Sequence, residues 1–302
     1  MGKMERIAEI AKDPRWWTFY LQRQVGNPAR RAALARRVAG FKPAYTPSDL
    51  ASAEVGLQKL TNSGLHELGQ LLSANQARDL TSYFEQKKVR DPYRSSVPKF
   101  LPLSDARPPE AHIAHHDAQD IINAPGLLEL ANDPRILDVV SQFLGCKPTI
   151  GYMAAWWSYA TEVGPQQAEN FHRDVDDWRF VKLFVYLTDV TSESGPHKYV
   201  LRSAPQNKLT EIRRFEDEEV ASIFGAENIR TMTSKAGEGF LEDTYGIHKG
   251  QPVQSGHRLL FQVVYTLNPL PYAPKQPVFD MPAEASYDPW INRVYLKTAN
   301  RK

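Results

Sequence analysis

His172, Asp174 and His248 are the residues whose types and spacing most directly suit one chemistry, metal ligation. In an extended chain residues i and i+2 project to the same face, so His172 and Asp174 can both turn inward while Arg173 turns away. A distant histidine, His248, completes two imidazoles and one carboxylate, a set that occupies one face of an octahedral metal ion and leaves three positions open. The His-x-Asp pattern is short, and it occurs a second time as His115-His116-Asp117 in AHHDAQDIINAP. The residues after Asp117 read as helix or loop, so that copy is expected to be a satisfied polar cluster and not a metal site.

The run GEGFLEDTYGIHKGQPVQSGHRLLFQVVYTLNP gives the first copy its context. His248 is followed by a Gly-containing turn, and Arg258 then opens an alternating apolar strand. This spacing predicts that His248 and Arg258 lie on neighbouring antiparallel strands near one barrel mouth. The planar fork of Arg258 suits a carboxylate such as the distal one of 2-oxoglutarate, whose 2-oxo acid end would chelate the metal and leave a position for O2. Two other classes fit the same three ligands: a zinc enzyme working through bound water, and a non-catalytic jelly roll that keeps a metal for structure.

The elements that must position these residues are legible in outline. Residues 3–24 and 28–40 favour helix, Gly40, Pro43 and Pro47 punctuate the end of the basic segment, and a linker is expected near 41–49. Leu80, Tyr83 and Phe84 suggest an amphipathic helix over 73–88, and the Pro-, Arg- and Ser-rich stretch 89–111 reads as loop. The helix over 134–144 is the best defined, with Asp133 as N-cap, Pro134 at the first turn, an apolar stripe of Ile136, Val139, Val140, Phe143 and Leu144, and Gly145 as the stop. Beyond it the period shortens. Residues 149–159, 180–188, 197–202 and 258–267 are β-branched and aromatic runs separated by turns, with a polar excursion over 206–226. The fold expected is α+β: a double-stranded β-helix (jelly-roll) barrel over 49–302 flanked by helices, preceded by a basic helical extension over 1–48.

Charge is unevenly divided. Residues 1–48 hold ten Lys and Arg against three acids, so a chain of net +2 splits into a segment of +7 and a remainder of −5. With Trp16, Trp17, Phe19, Tyr20 and Leu21 interleaved, the segment has the composition of a peripheral contact with anionic membrane; a solvated helical face is the alternative. No motif accompanies the charge that would point to nucleic acid. The single cysteine, Cys146, permits no intramolecular disulfide, and no apolar run approaches a transmembrane span. A cytoplasmic protein is expected, with contact at the inner face of the membrane if the N-terminal segment binds lipid.

The NDPRILDVVSQFLG helix, the FHRD pair, the FVYLTDVTSESGP strand and turn, and the GIHKG to RLLF segment together resemble the phytanoyl-CoA dioxygenase family, over roughly residues 55–275. The resemblance implies Fe(II), 2-oxoglutarate and O2, with ascorbate as an accessory reductant, and a hydroxylase yielding succinate and CO2. Position by position it implies His172, Asp174 and His248 as iron ligands, Arg258 as the co-substrate anchor, Tyr186 as a residue of the co-substrate pocket, and Trp178 as the counterpart of a tryptophan beside the iron in ectoine-hydroxylating members. Family halogenases carry Gly or Ala where this chain has Asp174, so hydroxylation is implied. The chain departs from the family where SGPHKYVLRSAPQNK replaces a Pro-Gly-Ser-His stretch.

Substrate choice should fall to the rim, where Trp156, Trp157, Arg173, Arg179, Lys182, His197, Lys198 and Arg202 are candidates. If several converge, they suit an anionic or polyhydroxylated substrate. With the basic N-terminus this suggests a glycolipid or acidic sugar, and the chain is similar to bacterial hydroxylases of 3-deoxy-D-manno-octulosonic acid (Kdo) in lipopolysaccharide. Free amino acids, compatible solutes and natural-product intermediates are the other small-molecule classes.

Overall fold

A computed structural model of the protein describes residues 12–281 and 286–297. The helix expected over 3–24 begins outside the described residues, and within them it runs Arg15–Gln22. Helices Pro28–Ala39 and Leu50–Ser63 come next, then β1 (Leu65–Gln70), helix Ala74–Glu85, β2 (Ile113–His115), two short helices, and helix Pro134–Leu144. The chain continues through β3 (Thr149–Tyr159), β4 (Phe180–Tyr186), β5 (His197–Val200), helix Asp217–Phe224, β6 (Ile229–Met232), β7 (Glu238–Glu242), β8 (His248–Gly250) and β9 (His257–Thr266).

Two antiparallel sheets face one another, one ordered β1-β7-β4-β9-β3-β2 and the other β6-β5-β8. The side chains of β3, β4 and β9 are buried almost without a break, because both faces of the larger sheet are covered. Val181, Leu183, Val185, Leu259, Phe261 and Val263 turn outward onto the helices, meeting Leu80, Phe84, Ile136, Val140 and Phe143. Phe184, Tyr186, Leu260 and Phe240 turn inward to Tyr199 and Met232 of the smaller sheet. Burying each such side chain contributes about 1.5–3 kcal/mol relative to leaving it in water.

The Pro134–Leu144 helix has the bounds its caps specify. Asp133 accepts from the Arg135 N–H at 2.8 Å, and Gly145 adopts φ 78°, a conformation costly for a residue with a Cβ. Segment 41–49 has no regular structure, but it is not a free linker. Asp138 on that helix accepts from the Tyr45 hydroxyl at 3.0 Å and from the backbone N–H groups of Ser48 and Asp49 at 2.9 and 2.8 Å. The described part of the N-terminal extension is therefore packed on the barrel domain, and Gln22 and Arg31 carry the contact further. Gln22 Nε2 donates to the Val175 carbonyl at 2.7 Å and Arg31 donates to the Asp177 carbonyl at 2.5 Å, just beyond Asp174.

Candidate metal centre

Residues 171–174 run extended beside 244–248. The His172 and His248 N–H groups each donate to the other's carbonyl at 3.0 Å, and the Asp174 N–H donates to the Thr244 carbonyl at 2.9 Å. This pairing sets two buried histidines, far apart in sequence, with ring centroids 4.3 Å apart. Each ring nitrogen Nδ1 faces a carbonyl two residues earlier, Asn170 at 2.9 Å and Gly246 at 3.0 Å. A carbonyl can only accept, so Nδ1 carries the hydrogen and the Nε2 lone pair is left for a ligand. The Nε2 atoms of His172 and His248 lie 3.4 and 3.2 Å from the Asp174 oxygens, and the three ligand atoms lie within 4.8 Å of one another. Among the described residues this is the one such group of His, Cys, Asp or Glu.

Lys182 holds the carboxylate. Its Nζ lies 2.6 Å from Asp174 Oδ2 and 3.0 Å from Asp176 Oδ2. Burial works against ionising Asp174, yet the charges of Lys182 and His248 hold it well below the usual carboxylate range. A carboxylate that ligates through one oxygen has the other free for the ammonium, so the lysine is compatible with a bound metal. Burial pushes the His172 imidazolium down to about 4, assisted by the His248 charge. Burial pushes His248 the same way, but the Asp174 charge and hydrogen bond outweigh it and the net direction is up.

A cavity of about 230 Å³ lies between the sheets and is lined by all three candidate ligands, Lys182, Tyr152, Trp156, Phe184, His197 and Arg258. Arg258 is buried and donates to Ser158 Oγ at 3.0 Å, while its Nε and Nη1 have no partner. A buried guanidinium with idle donors is costly, and a carboxylate is the complement that satisfies its fork. A Cβ added at Gly250, two residues after His248, would lie 3.7 Å from Arg258 Nη2. The arginine and the ligand strand thus stand within ordinary van der Waals reach of one another.

The structure corrects the expected placement of His248 and Arg258 on neighbouring strands. β8 pairs with β5 in the smaller sheet and β9 pairs with β3 and β4 in the larger one, so the two side chains face each other across the sandwich. The connection from 251 to 256 contains Pro252 and Gly256 and crosses between the sheets instead of closing a hairpin.

Several rim candidates lie elsewhere. The Arg173 guanidinium is consumed by the carbonyls of Leu209, Tyr245, Ser203, Gln206 and Lys208, so it braces the surrounding loops, and it is absent from the cavity between the sheets. Trp178 and Arg179 line a separate groove with Leu60 and Phe143, and Arg179 stacks over the Phe143 ring at 4.1 Å. Arg202 is exposed at a tight turn with φ 62° and is absent from the cavity lining. The Tyr186 hydroxyl donates to the Met232 carbonyl at 3.0 Å and accepts from the His197 N–H at 3.1 Å, so it is spent on anchoring β5. Lys182 does face the cavity, as a partner of Asp174.

Sequence reasoning named His197 only as a rim candidate and missed its partner Glu242, with which it bridges the sheets at 3.0 Å beside His248. Burial pushes Glu242 up to about 8, so it is largely protonated at neutral pH. A signal existed: Glu242 and Lys182 are ionisable residues on strands whose other side chains are nearly all apolar, and they stand opposite each other in register.

No protein-family model and no curated protein matches the chain by sequence. Solved structures do share the architecture, and the chain has the double-stranded β-helix fold found among iron- and 2-oxoglutarate-dependent enzymes. HygX from Streptomyces hygroscopicus, with nickel and 2-oxoglutarate bound, matches with a TM-score of 0.52 at 16% identity, covering 80% of this chain and 94% of that one. The epimerase SnoN, in complex with Fe3+, α-ketoglutarate and nogalamycin RO, gives 0.51 at 16% identity over 84% and 98%. EctD from S. alaskensis, with 2-oxoglutarate and 5-hydroxyectoine, gives 0.50 at 21% identity over 74% and 78%. At these identities the likeness establishes the fold alone.

Proposed function

We propose that this chain is an Fe(II)- and 2-oxoglutarate-dependent oxygenase, of the phytanoyl-CoA dioxygenase type, that hydroxylates a C–H bond of a polar or anionic small molecule. The observation that carries the reading is the pairing of two features in one cavity: three ligands with both Nε2 lone pairs preset, and a buried Arg258 with idle donors. Structural neighbours crystallised with 2-oxoglutarate support the choice of co-substrate. Bound at His172, Asp174 and His248, Fe(II) would couple O2 activation to oxidative decarboxylation of the 2-oxo acid.

The chain's own residues would do the positioning. Arg258, steadied by Ser158, would take the distal carboxylate and aim the 2-oxo acid end at the ligands. Lys182 would fix one Asp174 oxygen so that the other is presented, and the Asn170 and Gly246 carbonyls would keep the imidazoles in the ligating tautomer. Trp156, Phe184 and Leu260 would exclude water from the cavity. An acidic sugar, of which the Kdo of lipopolysaccharide is one, is the substrate class we favour, on the motif resemblance read from the sequence and on the charge of the basic N-terminal segment. Trp17, Leu21 and Phe41 are exposed on that segment and would make its contact with an anionic membrane surface, to be checked by vesicle sedimentation.

The test is anaerobic reconstitution with Fe(II) or with zinc, then addition of O2 and measurement of 2-oxoglutarate loss and succinate. Stoichiometric succinate with Fe(II) and none with zinc is expected. Succinate from neither metal, or turnover of a hydrolysable substrate with zinc alone, would sink the proposal.

A further inference from the structure

His172 and Asp174 also face a second opening, of about 380 Å³, walled by Arg23, Arg173, Asp176, Ile212, Arg213 and Arg214, with the Arg173 guanidinium already taken up by backbone carbonyls. The geometry points to this opening as the receptor for an oxyanion of the substrate, a phosphate or carboxylate, held between Arg23 of the N-terminal extension and Arg214 of the 209–214 loop. The inference rests on the oxygenase reading and names the substrate class for that site.

Two approaches to one ligand set divide the labour. The cavity between the sheets leads to Arg258, the group suited to the co-substrate carboxylate, and the second opening reaches His172 and Asp174 without touching Arg258. Arg23 stands just past the Arg15–Gln22 helix and is preset. Its Nη1 donates to the Val175 carbonyl at 3.1 Å, and its guanidinium lies over the Phe19 ring at 4.9 Å. Gln22 fastens the same carbonyl at 2.7 Å, so the helix is tied to the loop after Asp174 at two points.

Arg214 is placed by its neighbour. Phe215 donates its N–H to the Phe171 carbonyl at 2.8 Å, which sets Arg214 alongside the ligand strand, close enough for its charge to be felt at both His172 and Tyr93. Arg213, by contrast, is spent on Glu219, with Nη1 to Oε2 at 3.0 Å, and on the Phe215 ring at 4.2 Å. Among the described residues neither Arg23 nor Arg214 has a carboxylate within ion-pair distance. Asp176 shares the opening, but Lys182 lies 3.0 Å from it. Arg23 feels the charges of Asp176 and Asp174 at longer range, but among the described residues neither arginine has a carboxylate in contact, and two such cations, one of them fixed by backbone, flank a path to the metal ligands and suit an anion.

Calorimetric titration of the full chain tests this with three probes: glucose 6-phosphate, galacturonate and neutral methyl galactoside. Binding of at least one acid and weaker binding of the glycoside are expected, and the stronger acid shows whether phosphate or carboxylate is preferred. Arg23→Gln and Arg214→Gln should each weaken that acid roughly tenfold or more, as loss of a charge-assisted hydrogen bond does, while Arg230→Gln, whose arginine pairs with Glu67 away from the opening, should bind it as the parent does. Arg214 is exposed, so its variant reports even if Arg23→Gln perturbs folding. No acid binding by the parent, equal binding of the glycoside, or undiminished acid binding by both variants overturns the inference. Titration with Fe(II) and 2-oxoglutarate in parallel separates the two claims, since failure there strikes the oxygenase reading and leaves the oxyanion result to stand by itself.

Discussion

His172 and Asp174 bring their side chains to one point, whereas His115 and Asp117, with the same spacing, separate. Residues 171–174 stay extended against 244–248, so alternation holds through Asp174 and the partner strand supplies His248 directly opposite His172. At His115 the strand ends and helix Ala118–Ile122 begins, with Asp117 as its N-cap. Asp117 turns to Arg90 and Lys99 at the surface, His115 stacks on Trp156 at the cavity wall, and buried His116 accepts from Trp157 Nε1 at 3.0 Å. The same three-residue pattern therefore makes a ligand pair only where the backbone remains extended past its last residue and a third donor faces it.

The largest effect that could break this contrast is at Asp174. Asp174→Ala should remove tight metal binding and all 2-oxoglutarate turnover in a protein that stays folded, as judged by metal analysis, succinate assay and circular dichroism. Arg258→Met comes next. Loss of one partner of a buried charge pair costs about 2–5 kcal/mol, so 2-oxoglutarate affinity should fall roughly 30-fold to more than 1000-fold while Fe(II) binding is retained. Lys182→Met should cost about 10–100-fold in metal affinity, the usual effect of removing a group that orients a ligand, measured by competition with a chelator.

A smaller effect comes from pH. Metal requires neutral His248, whose pKa in the metal-free protein is moved up by Asp174. The proton must leave on binding, so affinity should rise with pH, by up to about tenfold per unit below that pKa, and flatten above it; a chelator competition series from pH 6 to 8 checks the sign. Asp117→Ala should do least, leaving metal binding intact and lowering stability by under about 1 kcal/mol in urea unfolding, as expected for exposed pairs.

How much of the structure is readable in the sequence depends on how local the signal is. The 134–144 helix carries its caps in sequence, and its predicted bounds match the observed ones; β3, at 149–159, matches equally well because its aromatic and β-branched run is uninterrupted. β1, LHELGQ, gives no strand signal because an edge strand can be polar, and β7, EGFLE, gives none because burial on both faces erases alternation. At the site, ligand types and order are legible, but the sheet to which each strand belongs is not. That assignment depends on pairing between residues far apart in sequence, which is why His248 and Arg258 are expected side by side and face each other instead. Trp178 and Arg179 lie close after the ligand pair in sequence, yet they open into a groove beneath the Pro28–Ala39 helix because the chain turns after Asp177.

The central claim is that one triplet, and not its twin, builds an iron and 2-oxo acid site with Arg258. Anaerobic titration of Fe(II) and then 2-oxoglutarate, monitored by the visible absorption of the iron chelate, measures both halves at once. One iron and one 2-oxoglutarate per chain are expected for the parent and for Asp117→Ala, with no chelate absorption for Asp174→Ala. Chelate formation that survives Asp174→Ala, or that is lost in Asp117→Ala, would contradict the claim.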